Sequence, residues 1–147
     1  MKYDKGAFAA YAKADLEQME CNAKNGFFPA LSTCMHAQQY AEKMLKEKIV
    51  ELFGTEPEKT HNLKTLLGTI LPSDYEVDPD LVLKASILSN YYMASRYPDF
   101  GGLDDITEDT AESAYQWSKE IVDFIDKIYK DDDGLIRIDI EETTDDD

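Results

Sequence analysis

Apolar residues recur at three- and four-residue spacing along most of this chain, and turn residues interrupt the recurrence. Phe8, Ala12, Leu16, Met19 and Ala23 predict a first helix, which Asn25 and Gly26 end. From about Pro29 to Phe53 a second helix places Leu31, Cys34, Met35, Gln38, Ala41, Leu45, Ile49 and Leu52 on one face. Gly54 stops it, and Pro57 prevents its continuation. A short third helix runs from a Thr60 cap through Leu71 and is closed by Pro72. Pro79 opens a fourth, with Leu81, Ala85, Leu88 and Tyr92 at helical spacing, and Pro98 ends it. The fifth starts at Thr107 with Glu108 and Asp109 in its first turn, and its stripe is Ala114, Trp117, Ile121, Phe124, Ile125 and Ile128.

After Tyr129 the period changes. Ile136, Ile138 and Ile140 alternate at every second position, which suits an edge strand paired with a second copy or a partner; the surrounding charge run equally suits disorder. Four long amphipathic helices with short connections predict an all-α fold, an antiparallel up-and-down four-helix bundle over residues 1–130 with the short helix as a lid. Residues 131–147 follow as an acidic C-terminal tail. A length of 147 residues suits one such domain.

The charge is lopsided. The chain carries 15 Lys and Arg against 31 Asp and Glu, a formal net charge of −16. Nine of those acids fall in 131–147, against Arg137 alone, so half of the net charge sits in the tail. Nucleic-acid affinity that ignores sequence comes from neutralising phosphates, so this balance argues against broad duplex binding. Asp4, Asp15, Glu17 and Glu20 occupy the region where a secretory leader would be apolar, and no stretch is apolar enough to span a bilayer. Free Cys21 and Cys34 and a cytoplasmic location are therefore expected.

Candidate chemistry is sparse. His36 and His61 are the only histidines, and the Glu58–His61 spacing used by di-iron bundles occurs once where such a site needs it twice. In the aspartate-rich stretch from Asp131, an EF-hand register would put Tyr129 and Ile140 where carboxylates are required. No metal, cofactor or catalytic group is expected from these features. Lys43, Lys46 and Lys48 with Lys59, His61 and Lys64 suit a phosphate patch, but Glu42–Lys46 and Lys43–Glu47 also suit ordinary four-residue surface pairing. Gln38 falls on the apolar stripe, so its amide is expected to find a partner. The stretch Arg96-Tyr97-Pro98-Asp99 reads either as a structural corner or as a guanidinium and a phenol that hold a phosphate and stack a base.

"AQQYAEKMLK", "KTHNL" and "SRYPDF", in that order, resemble the HEPN family over about residues 15–129. The resemblance implies a helical bundle that forms a homodimer, accompanies a minimal nucleotidyltransferase as in toxin–antitoxin pairs, and binds nucleotide or RNA. Many members are metal-independent ribonucleases that use an Arg followed four to six residues later by His. Here Arg96 and Arg137 are the only arginines, and both histidines precede them, so the resemblance is to a non-nucleolytic branch. It implies a nucleotide site at Arg96 and Tyr97, with His61 and Lys43 nearby. The alternatives are an interaction module that docks a partner through its acidic tail, and a ribonuclease that recruits His61 in three dimensions.

Overall fold

Proline, glycine and short polar side chains divide the chain into five helices and one small hairpin. The computed structural model describes residues 4–100 (the Phe100 side chain excepted) and 105–139. The helices among these residues are α1 (Ala7–Lys24), α2 (Ala30–Phe53), α3 (Leu63–Ile70), α4 (Pro79–Ala94) and α5 (Glu108–Ile125), with a 3₁₀ turn at Pro98–Phe100. Their ends follow local chemistry. Gly54 takes φ 65° at the end of α2, a left-handed conformation that glycine adopts without strain. Asp78 and Thr107 accept backbone N–H bonds at the starts of α4 and α5.

Two local expectations are corrected. The cap of α3 is Asn62, whose side chain accepts from the N–H groups of Lys64 and Thr65, while the Thr60 hydroxyl forms a tight turn one step earlier by accepting from Asn62 N. Glu47 does not pair with Lys43. It reaches across from α2 to accept from the N–H groups of Gly6 and Ala9 at 2.9 and 3.1 Å. It thereby supplies the anion that the first turn of α1 lacks in its own sequence.

Helix α2 is central: it touches α1, α3, α4 and α5. Its buried positions therefore extend beyond one stripe to Thr33, Ala37, Tyr40, Glu42 and Val50, whereas Leu31 at its start faces solvent. Met19, Leu45, Leu63, Leu66, Leu67, Leu88, Ile121 and Ile125 fill the fully buried core around it. Helix α4 departs from the amphipathic expectation. It is apolar on nearly all sides, yet only Ala85 and Leu88 are buried, and Leu83 and Met93 lie exposed.

The alternating isoleucines do form a strand, but its partner is in the same chain. Strand β1 (Ile128–Lys130) pairs antiparallel with β2 (Ile136–Ile138) in the register Ile128↔Ile138. Ile136 and Ile138 pack inward against the core, and Ile128 is fully buried. The turn explains the aspartates: Asp131 accepts from the N–H groups of Asp133 and Leu135 and from Arg137 Nε, and Gly134 takes φ 82°. The hairpin thus straddles the expected boundary at residue 130. Ile140 and the acidic residues after it lie outside the described residues.

Candidate functional site

A polar cluster sits on the α2–α3–α4 side of the bundle, built around one nearly buried carboxylate. Glu42, 5% exposed, faces inward one helical turn after Gln38, which is fully buried. Glu42 Oε1 accepts from Gln38 Nε2 at 2.8 Å and from His61 Nδ1 at 2.9 Å, and Oε2 pairs with Lys46 at 3.2 Å. Gln38 also donates to the His61 carbonyl at 3.2 Å, and its own oxygen accepts from Gln39 at 2.6 Å. The expectation that Gln38 needs a polar partner is met twice over. Every member of this network has a partner, as burial demands.

The segment entering α3 is tied down from three directions. Gln38 holds the His61 carbonyl, Asn62 caps the helix, and Leu63 N donates to the Ser89 hydroxyl of α4 at 2.8 Å. The His61 ring consequently lies flat on Tyr92, with centroids 3.5 Å apart and planes at 12°. The Arg96 guanidinium lies over the same Tyr92 ring at 4.0 Å. Two groups this close to one centroid would overlap on a single face, so imidazole and guanidinium occupy opposite faces of the phenol. Arg96 also donates to the Tyr92 carbonyl at 3.3 Å, just beyond the end of α4. A carboxylate accepts only, so the His61–Glu42 bond assigns the proton to Nδ1 and leaves Nε2 for solvent or a ligand.

Of the residues singled out from the sequence, His61 and Arg96 are brought to one column, with a phenol between them. Tyr97 follows Arg96 and is 47% exposed. Lys43 is drawn elsewhere. Its ammonium pairs with Asp15 of α1 at 2.7 Å, and Asp15 also holds His36 Nδ1 at 2.8 Å. Two parallel units result, His61–Glu42–Lys46 and His36–Asp15–Lys43, each a buried carboxylate bridging one imidazole and one ammonium. Asp15 and Glu42 were missed as organisers, as was Tyr92. The available signal was spacing: Gln38 and Glu42 are four apart, and so are Tyr92 and Arg96, which puts each pair on one helical face.

Other reactive side chains are muted. Burial pushes the Cys34 thiol up to about 12, and burial with the neighbouring Cys34 does the same to the Tyr91 phenol. Among the described residues, no group of three or more His, Cys, Asp or Glu converges as metal ligands, and no helix is long and apolar enough to cross a membrane. A cleft of about 580 Å³ lies away from the stack, between residues 72–75 and 134–138. The column is a surface feature, and its chemistry comes from exposed polar groups on a rigid base.

Residues 7–128 match the model of the HEPN domain. The chain belongs to the HEPN family. The crystal structure of TT1696 from Thermus thermophilus is similar to this HEPN domain with a TM-score of 0.66 and 28% identity, covering 90% of this chain and 100% of that one. The crystal structure of ST0689, an archaeal HEPN homologue, has a TM-score of 0.61 and 24% identity, covering 84% and 96% of the two chains, and at that identity the likeness concerns the fold alone. No curated protein matches this HEPN domain.

Proposed function

We propose that this HEPN domain is a non-catalytic, cytoplasmic nucleotide-binding protein that works as a homodimer, alone or with a minimal nucleotidyltransferase. The observation that carries the reading is the His61–Tyr92–Arg96 column on its buried Glu42–Gln38 base. Arg96 is prepositioned over Tyr92, so meeting a phosphate costs it little rotamer entropy. Tyr97 beside it offers an exposed ring for a base. His61 Nε2 extends the same polar edge, while Lys43, held by Asp15, acts only at a distance through α2. The exposed apolar residues Leu83 and Met93 on α4 support pairing of two copies next to this site.

Calorimetry with ATP, GTP and AMP on the wild type and Arg96→Ala tests the reading. Binding by at least one nucleotide, weakened about tenfold or more in the variant, is expected, because a charge-assisted phosphate contact is worth roughly 1.5–3 kcal/mol. No heat with any of the three overturns it.

A second reading has its own support. His61 has a carboxylate behind Nδ1, as an acid–base histidine requires, and Arg96 lies one ring away. RNA cleavage that is lost in His61→Ala would replace the first reading with a ribonuclease. Intact RNA in both proteins removes the second reading.

A further inference from the structure

The two edges of the hairpin are treated differently. Asp139 N donates to the Lys127 carbonyl at 2.7 Å, and Asp131 N donates to the Leu135 carbonyl at 2.8 Å. These bonds set the parity of the ladder. Tyr129 and Arg137 are then the hydrogen-bonded pair, and the N–H and C=O groups of Ile136 and Ile138 point away from β1. On the β1 side, one outward group is taken: the carbonyl of Ile128 accepts from Lys48 of α2 at 3.0 Å. On the β2 side, no backbone bond from Ile136 or Ile138 reaches any other described residue.

That edge, which no described residue covers, borders the 580 Å³ cleft. Residues 134–138 form one wall, Pro72, Asp74 and Tyr75 part of the other, and no residue of β1 lines it. The three strand residues of this wall span roughly 10 Å. Leu135, 54% exposed, and Tyr75 supply apolar contacts. The rim carries carboxylates. Asp74 lines one side, and exposed Asp132 and Asp133 sit at the hairpin tip next to Gly134, while Arg137, which also lines the cleft, and Asp131 neutralise each other at 2.8 Å.

We propose that the open edge of β2 is a strand-addition site for an extended, lysine-rich segment of a partner protein. The segment's backbone bonds to the outward N–H and C=O groups of Ile136 and Ile138. Its apolar side chains meet Leu135 and Tyr75, and its lysines meet the acidic rim. An edge without described backbone partners, beside a cleft, is what such a segment needs. Residues 141–147 carry five acids and no base, so a basic partner matches this rim better than they do.

The test uses the full chain labelled with ¹⁵N and a blocked peptide of about seven residues alternating lysine and valine. On titration, the amide signals of Ile136 and Ile138 should shift and gain protection from hydrogen exchange, while the α1 amides stay still. The same peptide N-methylated throughout should bind about tenfold more weakly or not at all, and so should its glutamate–valine counterpart. Asp74→Lys should weaken the lysine peptide by a similar factor without touching the strand. Ile136→Pro removes an outward donor and should do the same. No shift at Ile136 and Ile138 overturns the proposal, as does equal binding of the methylated or the acidic peptide. Changes at those amides upon dilution of the free protein assign the edge to a second copy. Changes upon deletion of residues 140–147 assign it to the chain's own end. Either result overturns the proposal.

Discussion

Replacing Glu42 with alanine is the most informative single perturbation of this domain. The carboxylate is 5% exposed and accepts from Gln38, His61 and Lys46 at 2.8, 2.9 and 3.2 Å. Hydrogen bonds to a charged group are worth about 1.5–3 kcal/mol each, but the three losses do not add. The His61 side chain is 46% exposed and recovers water once released. Removing the carboxylate also returns the cost of burying it. Gln38 is left stranded, and so is the ammonium of Lys46, whose side chain is 12% exposed. Gln38 is fully buried; its oxygen keeps the bond from Gln39, but its NH₂ group keeps only the longer bond to the His61 carbonyl. The net loss is expected at about 2–4 kcal/mol. For a domain of this size that is a fall in Tm of roughly 5–15 °C. Urea and thermal unfolding followed by circular dichroism measure it directly. Glu42→Gln, which keeps the shape and loses the charge, should cost about half as much. A cycle with His61→Ala should show a coupling near 1 kcal/mol. A loss below about 0.5 kcal/mol in Glu42→Ala would mean that this network does not hold α2 to the α3 segment, and the rigid base of the proposed site would go with it.

Three smaller outcomes follow from the same structure. At mildly alkaline pH a thiol-alkylating reagent should label exposed Cys21 and leave Cys34 untouched until urea is added, because burial raises that thiol to about 12; two native labels counted by mass spectrometry would contradict this. Asn62→Ala removes the acceptor for two N–H groups of α3 and should cost about 1 kcal/mol in urea unfolding, whereas Thr60→Ala should cost less. Arg137, with the N–H groups of Leu135 and Asp133, holds the Asp131 carboxyl below the usual carboxylate range. A folded value below the unfolded one contributes stability at and above the ordinary carboxylate range, and that contribution is lost as pH falls through the folded value. Asp131→Asn should therefore destabilise the hairpin at neutral pH and make little difference in strong acid, read from the β1 and β2 amide signals.

The helix boundaries could be read because they depend on residues adjacent in sequence. Gly54, Pro79 and Thr107 act within one turn of where they stand, through backbone freedom, ring constraint and a side-chain acceptor. The misassigned cap at Thr60 is of the same local kind: two acceptors two residues apart compete for neighbouring N–H groups, and Asn62 takes the helix. Residue types likewise indicated that Gln38 needed a partner, while for the isoleucines after Tyr129 they left an edge strand and disorder equally open.

What sequence could not supply was the partner in each case. Gln38 binds Glu42 next to it on the helix, yet the carboxylate's role appears only when His61, nineteen residues on, closes onto it. Lys43 has Glu47 in reach on its own helix and takes Asp15 from α1 instead, because Glu47 is drawn to the start of α1. The phenol that joins His61 to Arg96 looks from spacing like core, and becomes a platform only where α3 and α4 meet. Period and capping are properties of a few neighbouring residues, so the chain alone determines them. Which charge answers which, and which strand edge stays open, depend on helices far apart in sequence packing around α2, and the tertiary structure alone decides them.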